Sequence, residues 1–276
     1  MGLFLSAIVL IGYFVSYYYN NPMILYFAVI FSVAMNFVSY WYSDKIALSL
    51  SGAKEAKRDE YFNLYNAVEN LSITAGLPMP KVFVIKDPSP NAFATGRDKK
   101  HATVAVTDGL LKILDKSELE GVISHELSHI GNRDILLSTV VIVLVGFVSI
   151  LADMFLRGMH LGGGRKDDSK AGAILQIIGI IFIVLSPIFA KLIQLAISRK
   201  REFLADASGA LLTRYPEGLA SALKKISQAN IPMKNVHQAT AHLFISDPFE
   251  KFGKKVSSFF STHPPAEERI KALIGK

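Results

Sequence analysis

The sequence predicts an α+β protein that is mainly helical, an integral membrane protein with four membrane-spanning helices and a polar domain that contains short strands. The first observation behind this fold class is composition, since 51% of the 276 residues are hydrophobic and the mean hydropathy is +0.34. The second is that the apolar residues form four long runs instead of the one-sided patterns of soluble helices. A buried helical core is the alternative, and the lack of polar faces beside these runs disfavours it.

Four runs have the length and low charge of a membrane-spanning helix, because about 20 residues cover the roughly 30 Å hydrocarbon core. These runs are Leu3–Tyr19, Met23–Tyr42, Ile135–Leu156 and Ala173–Ala190. The first run has neither a basic start nor a small-residue cleavage site, so we interpret it as a retained helix and not as a signal peptide. The sequence Asn20-Asn21-Pro22 suits a tight turn, which makes the first two runs a hairpin.

The runs divide the chain into four parts. Residues 1–42 are a first transmembrane hairpin, 43–134 the first part of the polar domain, 135–197 a second hairpin with a loop at 157–172, and 198–276 the second part of the polar domain. If all four runs cross the membrane, both polar parts lie on the same side. The distribution of Lys and Arg predicts that this side is cytoplasmic, in a multi-pass protein of the cell membrane. Basic residues in the loop weigh against that orientation of the second hairpin.

The net charge of +7 and the pI near 9.4 could indicate nucleic-acid binding, but the basic residues cluster beside the predicted spans. They are Lys45, Lys54, Lys57 and Arg58 after the second run, and Lys191, Arg199, Lys200 and Arg201 around the end of the fourth. Membrane topology and anionic lipid explain this arrangement better, so we predict a lipid bilayer and no nucleic acid as a partner. The chain has no cysteine, which leaves His, Asp and Glu for any transition-metal site.

Local patterns predict the elements of the polar domain. A helix is predicted for Lys54–Ala75, short strands for Lys81–Ile85 and Ala102–Val106, and tail helices for Gly218–Gln228 and Ala266–Ile274. The sequence Ser117-Glu118-Leu119-Glu120 fits a capping box. It predicts the start of a further helix, whose apolar positions extend to Ile130.

On that helix, His125-Glu126-Leu127-Ser128-His129 matches the H-E-x-x-H pattern. Residues i and i+4 of a helix differ by only about 40° in azimuth, so both imidazoles can reach one ion. Glu126 lies about 100° from His125, where it can take a proton from a water molecule on the ion without binding the ion itself. The pattern therefore predicts a catalytic zinc site. A helix with ordinary surface histidines is the simpler alternative.

A catalytic zinc site needs a third protein ligand and an open fourth position. The other histidines are His101, His160, His237, His242 and His263. Carboxylates are the second option, because Glu202 and Asp206 are spaced i, i+4 after the fourth run, so one can bind metal while the other supports a histidine ligand. Alone, this pair could equally be a solvated helix face with Arg199 and Arg201 as partners.

Four ordered segments, PNAFATG, HELSHIGNRDIL, SRKREFLAD and STHPPAEERIKAL, resemble those of the HtpX family of membrane zinc endopeptidases, which are gluzincins related to the CAAX prenyl endopeptidases. The resemblance covers essentially the whole chain. It implies a zincin-like metalloprotease domain on the cytoplasmic side with one Zn²⁺ per chain. It also implies misfolded or membrane-associated proteins as substrates, in membrane protein quality control and the stress response. One departure is Phe203, where family members often have Tyr.

The resemblance assigns roles to individual residues. His125, His129 and Glu202 would bind zinc, and Glu126 would be the general base. Asp206, at the second acidic position of the E-x-x-x-D pattern, would orient a ligand.

Two further segments receive roles in the same way. In the His-Pro-Pro tail motif, Arg269 would support the site, and His263 could donate to the developing oxyanion. The edge of the sheet beside the cleft would pair with the substrate backbone as an added strand. That edge consists of Asn91, Ala92, Phe93, Ala94 and Thr95.

Three alternatives stay open beside the zinc endopeptidase. A CAAX-type prenyl endopeptidase shares the chemistry, but four spans in so short a chain disfavour the larger membrane chamber that it needs. A non-enzymatic, metal-stabilised membrane scaffold or chaperone would have no use for Glu126. A zinc transporter would need ligands inside the spans, which have no His and little acid.

Overall fold

The computed structural model describes residues 2–141, 179, 199–229, 231–234, 240–246, 248 and 264–275. The chain divides into two compact units, Met1–Tyr42 with Val143–Ile193 and Ser43–Ile142 with Gln194–Lys276. The described residues are mostly helical and include one small mixed sheet. The division of the chain into four parts at residues 42, 134 and 197 stays a prediction.

Two apolar helices begin the chain, α1 (Gly2–Tyr18) and α2 (Pro22–Leu50). Pro22 is the first residue of α2, where its missing N–H costs no helical hydrogen bond. The Asn21 side chain accepts a hydrogen bond from the amide of Met23 at 3.0 Å and so satisfies one of the free amides of the first turn. The two helices approach closely at Gly12, where a Cβ atom would lie 2.3 Å from that of Ala28.

Helix α2 has 29 residues and a mean hydropathy of 1.9, and among the described residues it is the one helix long and apolar enough to cross a membrane. It contains the predicted run Met23–Tyr42. Helix α1 is present as predicted, but with 17 residues it is shorter. Of the third run, residues 135–141 are described and helical, and Ala173–Ala190 lies outside the described residues except for residue 179. The number of spans and their orientation therefore stay predictions.

A four-stranded sheet in the second unit has the order β1-β2-β4-β3. The strands are β1 (Ala53–Glu55), β2 (Lys81–Ile85), β3 (Ala92–Gly96) and β4 (Ala102–Thr107). Strands β2 and β4 are parallel, whereas β1 and β3 pair antiparallel at the two edges. The two strands predicted from local patterns, Lys81–Ile85 and Ala102–Val106, are confirmed.

The helix predicted for Lys54–Ala75 is wrong in its first part. Ala53–Glu55 pairs with β2, and helix α3 covers only Phe62–Thr74. The buried residues of α3 include Leu64, Val68 and Leu71, which lie on one face at helical spacing. The error has a physical cause, since a three-residue strand owes its conformation to a distant partner and not to a local pattern.

Helix α4 (Asp108–Ile113) leads into α5 (Lys116–Gly131). The capping box of α5 lies two residues before the predicted one, because Asp115 and not Ser117 is the N-cap. The Asp115 carboxylate accepts the amide of Glu118, and the Glu118 carboxylate accepts the amide of Asp115, both at 2.9 Å. Ser117 donates its hydroxyl to Asp115 at 2.8 Å, so it supports the cap without forming it.

Three more helices are described in the second unit, α6 (Arg199–Thr213), α7 (Pro216–Ala229) and α8 (Ala266–Ile274), of which the last two confirm the predicted tail helices. Helix α5 packs against α3, α6, α7 and the strands β3 and β4. Its buried apolar residues are Leu119, Val122, Ile123, Leu127 and Ile130. Each such side chain contributes about 1.5–3 kcal/mol when fully buried, so α5 is held firmly in the core.

Candidate active site

The H-E-x-x-H histidines lie on the buried face of α5 towards α6. Their spacing of four residues places the two rings side by side, and the Nε2 atoms of His125 and His129 are 3.2 Å apart. His125 is buried, and the side chain of His129 is 15% exposed. The two nitrogens that face each other are therefore close enough to bind one ion.

Helix α6 brings Glu202 to the same point. Its two carboxylate oxygens lie 3.7 Å from Nε2 of His125 and 3.6 Å from Nε2 of His129. This approach depends on Gly209, where a Cβ atom would lie 2.9 Å from Oγ of Ser124 and 3.0 Å from the amide nitrogen of His125. The absence of a side chain at Gly209 thus lets α6 pack directly against the histidine-bearing turn of α5.

These three side chains have the geometry of a zinc site. Their ligand atoms all lie within 4.8 Å of one another. A tetrahedral zinc with ligand bonds of about 2.0–2.2 Å keeps its ligand atoms roughly 3.3–3.6 Å apart. The two Nε2 atoms are 3.2 Å apart, and each imidazole has one Glu202 oxygen at 3.6 or 3.7 Å, which is close to this range. Two imidazoles and one carboxylate are also the ligand types of a catalytic zinc site with an open position. His125, His129 and Glu202 therefore form a His-His-Glu metal site.

Asp206 and Arg269 contact His125 at Nδ1, the ring nitrogen that does not face His129. Asp206 lies one helical turn beyond Glu202, and its Oδ1 is 2.9 Å from Nδ1 of His125. Arg269 of α8 is 1% exposed and donates to both oxygens of Asp206, from Nε at 2.8 Å and from Nη2 at 2.6 Å. With Nδ1–H donated to Asp206, His125 presents the lone pair of Nε2 to the metal.

The charges around His125 fix its protonation state. Burial and the positive charge of Arg269 lower the pKa of His125 to about 4, so the ring is neutral near pH 7. Burial alone would raise the pKa of Asp206, but hydrogen bonds from Arg269 and His125 outweigh it and hold this pKa well below its usual value. The result is a neutral ligand beside a permanent carboxylate, as zinc binding requires.

Asp134 and Arg201 surround the outer side of His129. Oδ2 of Asp134 is 3.2 Å from Nδ1 of His129, and Nε of Arg201 is 3.8 Å from Oδ1 of Asp134. Burial lowers the pKa of His129, but the hydrogen bond to Asp134 and the charges of Glu202 and Glu126 outweigh burial and raise it to about 9. The carboxylates thus favour positive charge where the ligand atoms converge.

Glu126 follows His125 on α5 and faces a cleft at the metal site. The carboxylate is buried, with 2% of the residue exposed. The cleft is lined by Ala94, Glu126, His129, Asp134, Ile135, Ser138, Arg201, Glu202, His242 and Leu243. Glu126 is therefore next to the ligands without belonging to the cluster of three, as the sequence predicts for a general base.

The edge strand β3 borders this cleft, and part of its outer edge is already hydrogen-bonded. Asn91 O accepts the amide of Thr107 in β4, so by antiparallel alternation the backbone groups of Ala92, Ala94 and Gly96 point outward. The carbonyl of Ala92 accepts the amide of Ile245 at 2.9 Å, and the amide of Gly96 contacts Oγ1 of Thr139 at 3.4 Å.

Ala94 is the remaining outward position, and it lines the cleft. Among the described residues, none hydrogen-bonds to its outward amide and carbonyl. The Asn91 side chain donates to the carbonyl of Ser246 at 2.9 Å and accepts its amide at 3.2 Å, so it anchors a neighbouring segment. Phe93 and Thr95 point their backbone groups to β4 and are buried. Of the predicted substrate-binding residues Asn91–Thr95, Ala94 is therefore the one whose outward amide and carbonyl have no hydrogen-bond partner among the described residues.

Of the other histidines named from the sequence, His101 and His242 lie in the described residues, and neither belongs to the cluster of potential metal ligands there. His101 is exposed and pairs with Asp98, with Nδ1 2.7 Å from Oδ1. His242 lines the cleft, and its Nε2 donates to the carbonyl of Ser138 at 3.0 Å. His160, His237 and His263 lie outside the described residues.

Sequence reasoning missed Asp134 and its contact with Arg201. The signal was present as the acid in HELSHIGNRD and as the basic residue directly before Glu202. The contact of Asp134 with His129 could not be predicted from this signal, because a spacing of five residues does not place two side chains on one helical face.

Comparisons with known proteins agree with this site. A sequence model of Peptidase family M48 matches residues 58–276. A "Protease HtpX homolog" of Caldanaerobacter subterraneus subsp. tengcongensis is 49% identical over 98% of this chain and 91% of its own length. The homolog of Thermococcus kodakarensis is 49% identical over 94% of this chain and 89% of its own length. In structure, the chain is similar to S. mikatae Ste24p, with a TM-score of 0.55 and 19% identity over 98% of this chain and 62% of that one, which is a likeness of fold.

Proposed function

The chain belongs to peptidase family M48, and from this premise we propose that it is an endopeptidase that cleaves misfolded or membrane-associated proteins at the cytoplasmic surface of the cell membrane. Its metallopeptidase chemistry follows from the family and from the His-His-Glu site. The observation that carries the proposal is the position of Glu126, buried beside three converging ligands and open to the cleft.

Glu126 is the general base in this proposal. His125, His129 and Glu202 would hold a zinc ion, which would supply a Lewis acid for the attacking water and the scissile carbonyl. The carboxylate of Glu126 takes one proton from the water as its oxygen adds to the carbonyl carbon. Glu126 then gives this proton to the amide nitrogen, the C–N bond breaks, and the products are a carboxylic acid and an amine.

The outward backbone groups of Ala94 indicate how a peptide would lie in the cleft. Its outward amide and carbonyl can each form one hydrogen bond with an extended substrate segment, as in strand addition. Pairing at a single residue fixes the register of the substrate and contributes little affinity. It suits an enzyme that selects unfolded chain by its exposed backbone more than by its sequence. His263 could in addition donate to the oxyanion, a role taken from the tail motif alone.

Helix α2 supports the location at a membrane. It has the length and hydropathy of a span, and basic residues follow it directly in the sequence, which favours the cytoplasm for the peptidase domain. The named relatives are HtpX homologs, and the resemblance to that family implies membrane or unfolded proteins as substrates in place of prenylated peptides.

The test compares the wild type with Glu126→Gln, purified as full chains in detergent. We expect Glu126→Gln to retain zinc and to lose cleavage of an unfolded membrane protein by about 10²–10⁴-fold, because the amide cannot accept the proton. Glu120→Gln is the matched control, as it makes the same change in the same helix, at a partly exposed residue that pairs with Lys116 and does not line the cleft.

Two results would contradict the proposal. Undiminished cleavage by purified Glu126→Gln would show that Glu126 is not the general base. Cleavage of a farnesylated peptide, with none of the unfolded membrane protein, would replace the substrate class by that of a prenyl endopeptidase.

A further inference from the structure

A carboxylate that the sequence motifs do not assign contacts the second zinc ligand. Oδ2 of Asp134 is 3.2 Å from Nδ1 of His129, the ring nitrogen opposite the one that faces Glu202. Because a carboxylate only accepts hydrogen bonds, this contact requires the proton of His129 to be on Nδ1. In the neutral ring, the form that binds a metal, the lone pair is then on Nε2, the nitrogen that faces Glu202.

The contact between Asp134 and His129 is possible because helix α5 ends before Asp134. In a continuous α-helix, the residue five positions after His129 would lie roughly 140° around the axis and could not reach its ring. Instead, α5 ends at Gly131, and Arg133 adopts the left-handed conformation with φ of 64°. The turn redirects the chain before residues 134–141 resume a helix, and it returns Asp134 to the side of His129.

Arg201 completes the arrangement on α6. Its Nε lies 3.8 Å from Oδ1 of Asp134, the oxygen that His129 does not use. Arg201 directly precedes the third ligand, Glu202, in the sequence. Asp134 thus lies between the end of one ligand-bearing helix and the beginning of the other.

We propose that Asp134 is a positioning residue for His129 and that Arg201 holds Asp134 in place. Asp134 fixes the tautomer and the orientation of His129, as Asp206 does for His125 on the opposite side of the site. The proposal deepens the metallopeptidase function proposed above and rests on it. Loss of such a partner of a metal-binding histidine typically costs 10–100-fold in metal affinity.

The test measures zinc affinity of the full chain in detergent, by competition with a chromophoric chelator, for Asp134→Ala and Asp134→Asn. We expect Asp134→Ala to weaken zinc binding by about 10–100-fold. Asp134→Asn should weaken it less, because its amide oxygen still accepts the Nδ1–H but carries no charge. The visible spectrum of the Co²⁺-substituted chain should change in Asp134→Ala, since His129 is no longer held in one orientation.

Asp98→Asn is the matched control. Asp98 also contacts Nδ1 of a histidine, His101, at 2.7 Å, but this pair is exposed and does not line the cleft. We expect its zinc affinity and cobalt spectrum to equal those of the wild type. A general effect of removing an Asp–His pair would appear in this variant as well.

The outcomes separate the two proposals. Wild-type zinc affinity and cobalt spectrum in both Asp134 variants would overturn the positioning role, whatever the activity. If Asp134→Ala does not fold, Asp134→Asn decides by the same measurement. A weakened zinc site in these variants, together with a wild type that cleaves no protein substrate, would keep the positioning role and refute the peptidase proposal.

Discussion

The two histidines of α5 are held by two different acid–arginine pairs. Behind His125, Asp206 and Arg269 are 2% and 1% exposed and share two hydrogen bonds of 2.6 and 2.8 Å. Behind His129, the pair of Asp134 and Arg201 is 12% and 24% exposed and has a single contact of 3.8 Å. Bidentate, charge-assisted contacts are the stronger ones, and burial reduces the screening of their charges.

This difference between the two pairs predicts that the first contributes mainly to folding stability and the second mainly to the orientation of a metal ligand. Arg269 joins α8 to α6 through Asp206 and also donates to the carbonyl of Ile245 at 3.3 Å, so the pair behind His125 connects distant parts of the second unit. The pair behind His129 connects only the ends of α5 and α6 nearest the cleft. In addition, Nη2 of Arg201 is buried and has no hydrogen-bond partner among the described residues. We therefore expect the first pair to be needed for folding and the second to tune the ligand.

Replacing the buried arginine is expected to have the largest effect. Arg269→Met would leave the buried carboxylate of Asp206 without its partner, and breaking a buried ion pair costs about 3–5 kcal/mol of unfolding free energy. Arg201→Met is the comparison variant, and its partly exposed pair should contribute less than about 1 kcal/mol. Denaturant unfolding of both full chains in detergent measures the difference. Equal losses of unfolding free energy in the two variants would contradict the expected difference between the pairs.

The contact between α5 and α6 gives a smaller expected effect. Gly209→Ala would place a Cβ atom 2.9–3.2 Å from the backbone and side chain of Ser124 and the amide of His125, so the helices must separate slightly. Such overpacking costs about 1–3 kcal/mol, and it should also weaken zinc binding because Glu202 moves with α6. Gly131→Ala is the control, since a Cβ there meets Leu77 only at 3.9 Å. Undiminished stability and zinc affinity in Gly209→Ala would show that the close approach is not required.

The sequence predicts the parts of the site that depend on local spacing. The positions of His125, Glu126 and His129 follow from one helix, and the pairing of Glu202 with Asp206 follows from the i, i+4 spacing of a second. The choice of Glu202 as the metal ligand came from the family resemblance, and the structure places it within reach of both histidines. Local periodicity alone left that choice open.

Long-range contacts and irregular turns were not predictable in the same way. The contact of His129 with Asp134 depends on the left-handed Arg133, which no residue type at that position signals. Ile245 and Ser246 contact Ala92 and Asn91 across a long sequence separation, which is 155 residues for Asn91 and Ser246. The role of Asn91–Thr95 in binding substrate, which the family resemblance implies, stays a prediction, and these long-range contacts occupy part of that edge.

The central claim is that His125, His129 and Glu202 bind one zinc ion per chain, and the most direct measurement is the zinc content of purified Glu202→Ala. After dialysis against a weak chelator, we expect about one zinc ion per chain in the wild type and a large loss in Glu202→Ala, because two imidazoles alone do not complete the ligand set. Glu217→Ala, which removes an exposed carboxylate of α7, should equal the wild type. A full complement of zinc in Glu202→Ala would contradict the account.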